Sequence, residues 1–98
     1  MSAKPAYVVM IRERMTDPDE FEQYRQLAPK ARGPHNIVPL AFYGAQQVLE
    51  GPPAEGTVVL KFDSVDAARA WYDSPAYQEA LVHRLKGADY RVIIVEGV

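Results

Sequence analysis

Apolar residues come in short alternating runs along this chain, and proline, glycine and acidic clusters separate the runs. From Tyr7 to Met15, Tyr7, Val9 and Ile11 fall on one side while Val8 and Met10 fall on the other, the period of a strand. Thr16-Asp17-Pro18-Asp19-Glu20 then reads as a helix start. Asp17 suits the N-cap, Pro18 the first helical position, and Glu20 the far side of a capping box. The carboxylates of Asp19, Glu20 and Glu22 favour the positive end of that helix. Phe21, Tyr24 and Ala28 line one face with Leu27 beside it, and Pro29 ends the helix near Ala28. Residues 30–39 read as a loop or irregular helical turn containing Gly33, Pro34 and Pro39.

Leu40 to Glu50 predict a second, longer strand, closed by Gly51-Pro52-Pro53, and Thr57 to Phe62 a third. Ser64 is placed to cap a helix through Trp71, with Ala68, Trp71 and Tyr72 inward and Val65 at its start. Ser74-Pro75 repeats the cap-then-proline start. The next helix takes Tyr77, Leu81 and Leu85 as its buried stripe, Lys86 near its negative end and Gly87 as its stop. Tyr90 to Glu96 form the last strand. The order β-α-β-β-α-β, its second helical segment split at Ser74, predicts an α+β, ferredoxin-like fold. It is a four-stranded antiparallel sheet with helices on one face, built as one domain over residues 1–98.

The strands do not alternate as a one-sided sheet requires. Val92 and Ile94 oppose Ile93 and Val95, Val58, Leu60 and Phe62 oppose Val59, and Val9 and Ile11 oppose Val8 and Met10. Whichever set meets the helices, several aliphatic side chains stay on the open face. Each forgoes about 1.5–3 kcal/mol in water. A second copy packed sheet to sheet removes that loss, so the pattern predicts a homodimer of the dimeric α+β barrel type.

Composition narrows the class. The 98 residues carry no cysteine, which excludes disulfides, thiol nucleophiles and thiolate metal sites and fits a reducing compartment. A formal charge of −2 speaks against general nucleic-acid binding. No apolar run approaches a membrane span, and Met1-Ser2-Ala3-Lys4-Pro5 does not read as a signal peptide, so no membrane and a cytoplasmic location are expected.

Few residues offer chemistry. Between Glu22 and Glu50 there is no carboxylate, while Arg25, Lys30 and Arg32 lie in that stretch with His35 beyond them. One reading is a small-anion or carboxylate site with His35 as the catalytic proton carrier. Cations suited to a helix C-terminus, followed by a solvated loop, account for the same residues. Tyr24, Phe42, Tyr43, Trp71 and Tyr72 are candidate walls of a ligand pocket between helices and sheet, and equally candidate core. His83 falls off the buried stripe and is expected to be exposed. No ligand-spaced cluster predicts a metal, and no glycine-rich phosphate loop or dinucleotide fingerprint predicts a cofactor.

The run from Phe62 to Gln78, with its Trp71-Tyr72-Asp73-Ser74-Pro75 centre, resembles domain-of-unknown-function family 1330. So do Thr16-Asp17-Pro18, Tyr24-Arg25, Ala28-Pro29, His35, Val48-Leu49-Glu50-Gly51, Arg84 and Val95-Glu96-Gly97, over about residues 6–97. That family is similar to dimeric α+β barrel proteins such as antibiotic-biosynthesis monooxygenases and muconolactone isomerases. The resemblance implies a homodimer and a small organic ligand, and leaves activity open because fold does not fix function. The chain departs from the family where Asn36-Ile37 replaces two glycines after the histidine. It departs again where Phe42-Tyr43-Gly44 stands in place of an arginine and two glycines, which makes the pocket more aromatic and less suited to an anion. Two functions stand at this point: a cofactor-independent monooxygenase- or isomerase-like enzyme, and a non-catalytic dimeric ligand-binding or regulatory module.

Overall fold

The computed structural model describes residues 4–98, so the reading of the first five residues falls mostly outside it. Its elements are β1 (Ala6–Met15), α1 (Pro18–Leu27), a 3-10 turn (Ala28–Ala31), β2 (Val38–Phe42), β3 (Gly56–Phe62), α2 (Val65–Asp73), α3 (Pro75–Gly87) and β4 (Ala88–Glu96). The strands form one antiparallel sheet in the order β2-β3-β1-β4. This is the expected ferredoxin-like plan.

Local chemistry sets the helix boundaries. Asp17 Oδ1 accepts from the Asp19 and Glu20 amides at 3.1 and 3.3 Å, with Pro18 at the first helical position of α1. Glu20 does not complete a capping box. Its carboxylate lies 2.7 Å from His83 Nδ1 on α3, so His83 is half-buried rather than exposed. Ser64 Oγ accepts from the Ala67 amide at 3.0 Å. Ser74 ends α2 and starts α3, with Oγ accepting from the Tyr77 amide and donating to the Trp71 carbonyl at 2.7 Å.

Three expectations change. The second strand stops at Phe42 instead of reaching Glu50, because Tyr43 takes φ 54° and turns the backbone out of the extended region. The residues beyond it run as an arm, pinned at its base by Gln46, which accepts from Thr57 Oγ1 and donates to the Ala54 carbonyl. The α3 stripe is Tyr77, Ala80, Leu81, Arg84 and Gly87, while Leu85 is 67% exposed. Gly87 is also no left-handed helix stop. A Cβ there would lie 2.6 Å from the Phe21 amide nitrogen, so this glycine lets α3 and α1 touch.

The core lies between sheet and helices, built from Val8, Met10, Val58, Leu60 and Phe62 against Phe21, Tyr24, Trp71, Tyr77 and Leu81. On the opposite face, cross-strand pairing aligns Ala41, Val59, Val9 and Ile93 in one row. Ile93 and Val95 are exposed there. The sheet therefore carries apolar side chains on both faces, as the strand patterns predict.

Candidate functional site: an aromatic cavity between α1 and the sheet

Among the described residues no helix packs broadly over β2, whose neighbour in the fold is β3. The helix-side surface of β2 and β3 therefore forms one wall of a cavity of about 900 Å³, with α1 and the 3-10 turn opposite. That volume suits a small organic molecule. Phe21, Tyr24, Trp71, Phe42 and Tyr43 give it an aromatic lining, and Met10, Val58 and Leu60 form the sheet side.

Tyr43 owes its place to two backbone features. Its positive φ swings the side chain back over the sheet, and its amide donates to the Thr57 carbonyl at 2.9 Å. Gly56 then leaves room for the ring: a Cβ at that position would lie 2.5 Å from Tyr43 Cδ1. The Tyr43 hydroxyl bonds the hydroxyl of Tyr90. Tyr90 stacks on Phe21 with centroids 6.1 Å apart. Arg12 continues the inward register of Val8 and Met10, and its guanidinium lies 5.2 Å from the Phe21 ring centre and 5.1 Å from that of Tyr43. Glu55 holds it, Oε1 accepting from Arg12 Nε at 3.2 Å and from the Met15 amide at 2.9 Å.

A second phenol pair lies deeper, where the Tyr24 and Tyr77 hydroxyls share a hydrogen bond of 2.9 Å. Burial pushes the ionisation of Tyr24 and Tyr90 well above the usual phenol range and raises that of Tyr77 as well. These hydroxyls are neutral at ordinary pH, so they serve as hydrogen-bond donors and acceptors and not as bases. Behind them sits Arg84, only 3% exposed. Its guanidinium lies 4.9 Å from the Tyr90 ring centre and 5.9 Å from that of Tyr24. Among the described residues no carboxylate pairs with Arg84, and its Nε has no hydrogen-bond partner. Burying an ion costs several kcal/mol. A desolvated cation–π contact returns about 2 kcal/mol, so the two rings offset that cost only in part.

Five of the seven site residues expected from sequence meet at this cavity: Tyr24, Arg25, Phe42, Tyr43 and Trp71. Arg25 stands at the rim, paired with Glu22 at 3.1 Å. Tyr72 does not line the cavity; it packs against Trp71 and Tyr77 and under Arg69. Nor does His35, although its neighbours Arg32 and Ile37 do. The loop fixes His35 through its backbone, the amide donating to the Arg32 carbonyl at 2.8 Å, and no described side chain bonds its ring. Sequence reading missed Arg12, which lines the cavity, and the residues behind the lining, Gly56, Tyr77, Arg84 and Tyr90, which pack against its aromatic rings. The position of Arg12, a charge in the inward register of a strand, was the available signal. Among the described residues no group of three or more histidine or acidic side chains is placed to hold a metal ion.

Comparison with known proteins places this architecture. The family model described as Domain of unknown function (DUF1330) matches residues 5–98. The chain belongs to this family. No match is found among curated proteins. Among solved structures, this DUF1330 chain is similar to a protein of unknown function from Rhodopseudomonas palustris, with TM-score 0.72 and 20% identity, over 97% of this chain and 83% of that one. A dimeric ferredoxin-like protein of unknown function from Thermobifida fusca matches with TM-score 0.65 and 22% identity, covering 97% and 92%. SnoaB, a cofactor-independent oxygenase from Streptomyces nogalater, matches with TM-score 0.64 and 12% identity, covering 98% and 95%. At these identities the likeness is one of fold.

Proposed function

We propose that this DUF1330 chain is a homodimeric domain that binds a small, ring-bearing organic molecule in the cavity between α1 and the sheet. The observation that carries the reading is the cavity itself. Its walls are mainly aromatic and aliphatic, with Arg12, Glu22, Arg25 and Arg32 among them, and two of its lining residues, Tyr24 and Tyr43, are each hydrogen-bonded to a second phenol behind the wall. Such a surface takes up an apolar body by burial and orients it by a few hydrogen bonds. The two-sided sheet and the dimeric description of the Thermobifida fusca neighbour support the homodimer. A cytoplasmic location agrees with the lack of cysteine and with the absence, among the described residues, of a helix able to cross a membrane.

Trp71 is the sole tryptophan and lines the cavity, so its fluorescence reports occupancy. Titration with methyl 2-naphthoate, a neutral bicyclic ester, is expected to quench Trp71 saturably and to raise the melting temperature. Tyr43→Ala weakens both effects. No quenching and no thermal shift at the solubility limit of the ester overturns the reading.

A catalytic role is the second reading, favoured by the neutral phenols, which can polarise a carbonyl or enol oxygen. SnoaB shows that this fold hosts cofactor-independent oxygenase activity. In the enzyme reading His35, on the loop whose Arg32 and Ile37 line the cavity, serves as the proton carrier. His35→Ala is then expected to leave quenching by the ester unchanged while abolishing turnover of an identified substrate. Unchanged turnover removes His35 from the mechanism.

A further inference from the structure

The cavity reading leaves Arg84 unexplained. A helix residue at the inner side of α3 needs only an apolar side chain to pack against Tyr24 and Tyr90, yet this position carries a permanent cation with no counter-ion among the described residues. Its Nε is left without a partner. The other guanidiniums near the cavity differ. Arg12 is held by Glu55, Arg25 by Glu22, and Arg32 bonds the Ile37 carbonyl at the surface.

We propose that Arg84 supplies the buried positive charge that makes the inner end of the cavity a receptor for the oxyanion of an acidic ring compound. Tyr24 lines the cavity with its hydroxyl bonded to that of Tyr77, and Arg84 compensates the ligand's charge from behind the Tyr24 and Tyr90 rings. The inference rests on the cavity reading and narrows its ligand class to organic acids with an apolar body. It follows from electrostatics in a poorly solvated interior. A cation without a local anion there is stabilised by any anion that enters, and attraction at this depth is screened by salt far less than attraction at a surface. Arg84 also pulls Tyr24 and Tyr77 toward the ionised form against burial, the field an incoming oxyanion would meet. Arg84 is a positioning residue in this account, because Tyr24 touches the ligand and Arg84 acts through it.

The test compares 2-naphthoate with its methyl ester, two probes of one ring system that differ in charge. Quenching of Trp71 in the full-length protein gives both dissociation constants. Wild type is expected to bind the carboxylate at least about tenfold more tightly than the ester, one pKa unit's worth of preference. Arg84→Met removes that preference while the ester binds as before, and Arg84→Lys retains part of it. Should Arg84→Met not fold, wild type in molar salt still decides. A preference that persists places the charge inside, whereas one that collapses assigns it to Arg25 and Arg32 at the rim and overturns the proposal. Equal binding of acid and ester in wild type overturns it as well and leaves the cavity reading intact. Failure of both probes to bind overturns the cavity reading and this inference with it.

Discussion

Tyr43 shows how much one residue's conformation decides in this molecule. Its left-handed backbone costs of order 1 kcal/mol or more, and the return is an aromatic ring laid over Gly56 with its hydroxyl on Tyr90. Gly56→Ala puts a methyl group where the ring lies, 2.5 Å from Cδ1. The substitution is expected to cost about 1–3 kcal/mol, measured by denaturant unfolding. In the double variant with Tyr43→Ala most of that cost disappears, because the clash has no partner; additive losses would refute the packing account. Ionisation of the phenols gives a second test at this scale. An unfolded tyrosine loses its proton near pH 10, whereas Tyr24 and Tyr77 keep theirs when folded. Above that pH the native state binds more protons than the unfolded state, so stability falls as pH rises, by about 1.4 kcal/mol per pH unit for Tyr24 while it stays protonated in the fold, and in the same direction for Tyr77. Tyr24→Phe is expected to flatten the fall in thermal stability between pH 9 and 11, and an unchanged slope would exclude Tyr24 as its source.

At the scale of elements, punctuation carried most of the information. Asp17-Pro18, Ser64 and Ser74-Pro75 each start a helix where the side-chain oxygen meets an orphan amide, and these starts were legible because capping chemistry is local. What hydropathy misjudged was the face of α3. The sequence pattern puts Leu85 in the buried stripe and leaves Arg84 out of it, yet the structure exposes the first and buries the second. The orientation of α3 is decided by where it meets α1, and Gly87 is the small residue that permits that approach. A guanidinium then falls among tyrosine rings contributed by α1 and β4, a contact between segments far apart in sequence that no local pattern announces. The same reason hid Arg12 and Tyr90 from the site, while Tyr24, Phe42 and Trp71 were found because aromatic residues are scarce and conspicuous. The α1–α3 contact predicts a ranking. Gly87→Ala sets a methyl group against backbone, 2.6 Å from the Phe21 amide nitrogen and 3.0 Å from the Asp17 carbonyl oxygen, where no side chain can turn aside. It is expected to destabilise more than Gly56→Ala in the same unfolding assay, whereas Leu85→Glu stays within about 0.5 kcal/mol of wild type as a surface change. A larger loss for Leu85→Glu would mean that this helix face is covered by something.

The sheet carries apolar surface on each of its two sides. The helix side carries the open cavity within a single chain, and the other side presents the row Ala41, Val59, Val9 and Ile93. Lys61 and Arg91 stand in the flanking rows, so the apolar strip is bordered by cations and like charges must avoid one another when two copies meet. The exposed Val48 and Leu49 on the arm after Tyr43 add apolar surface. Ile93→Glu places a carboxylate within the strip, and a two-fold interface would place two of them in a desolvated contact. Wild type is expected to scatter light as twice 11.0 kDa at micromolar concentration, and Ile93→Glu as a single chain. Because Ile93 lies on the face away from the cavity, the monomeric variant should still quench with methyl 2-naphthoate at temperatures where it remains folded. Loss of binding together with loss of the dimer would mean that the partner completes the cavity, and a monomeric wild type would leave the apolar strip without the occupant proposed for it.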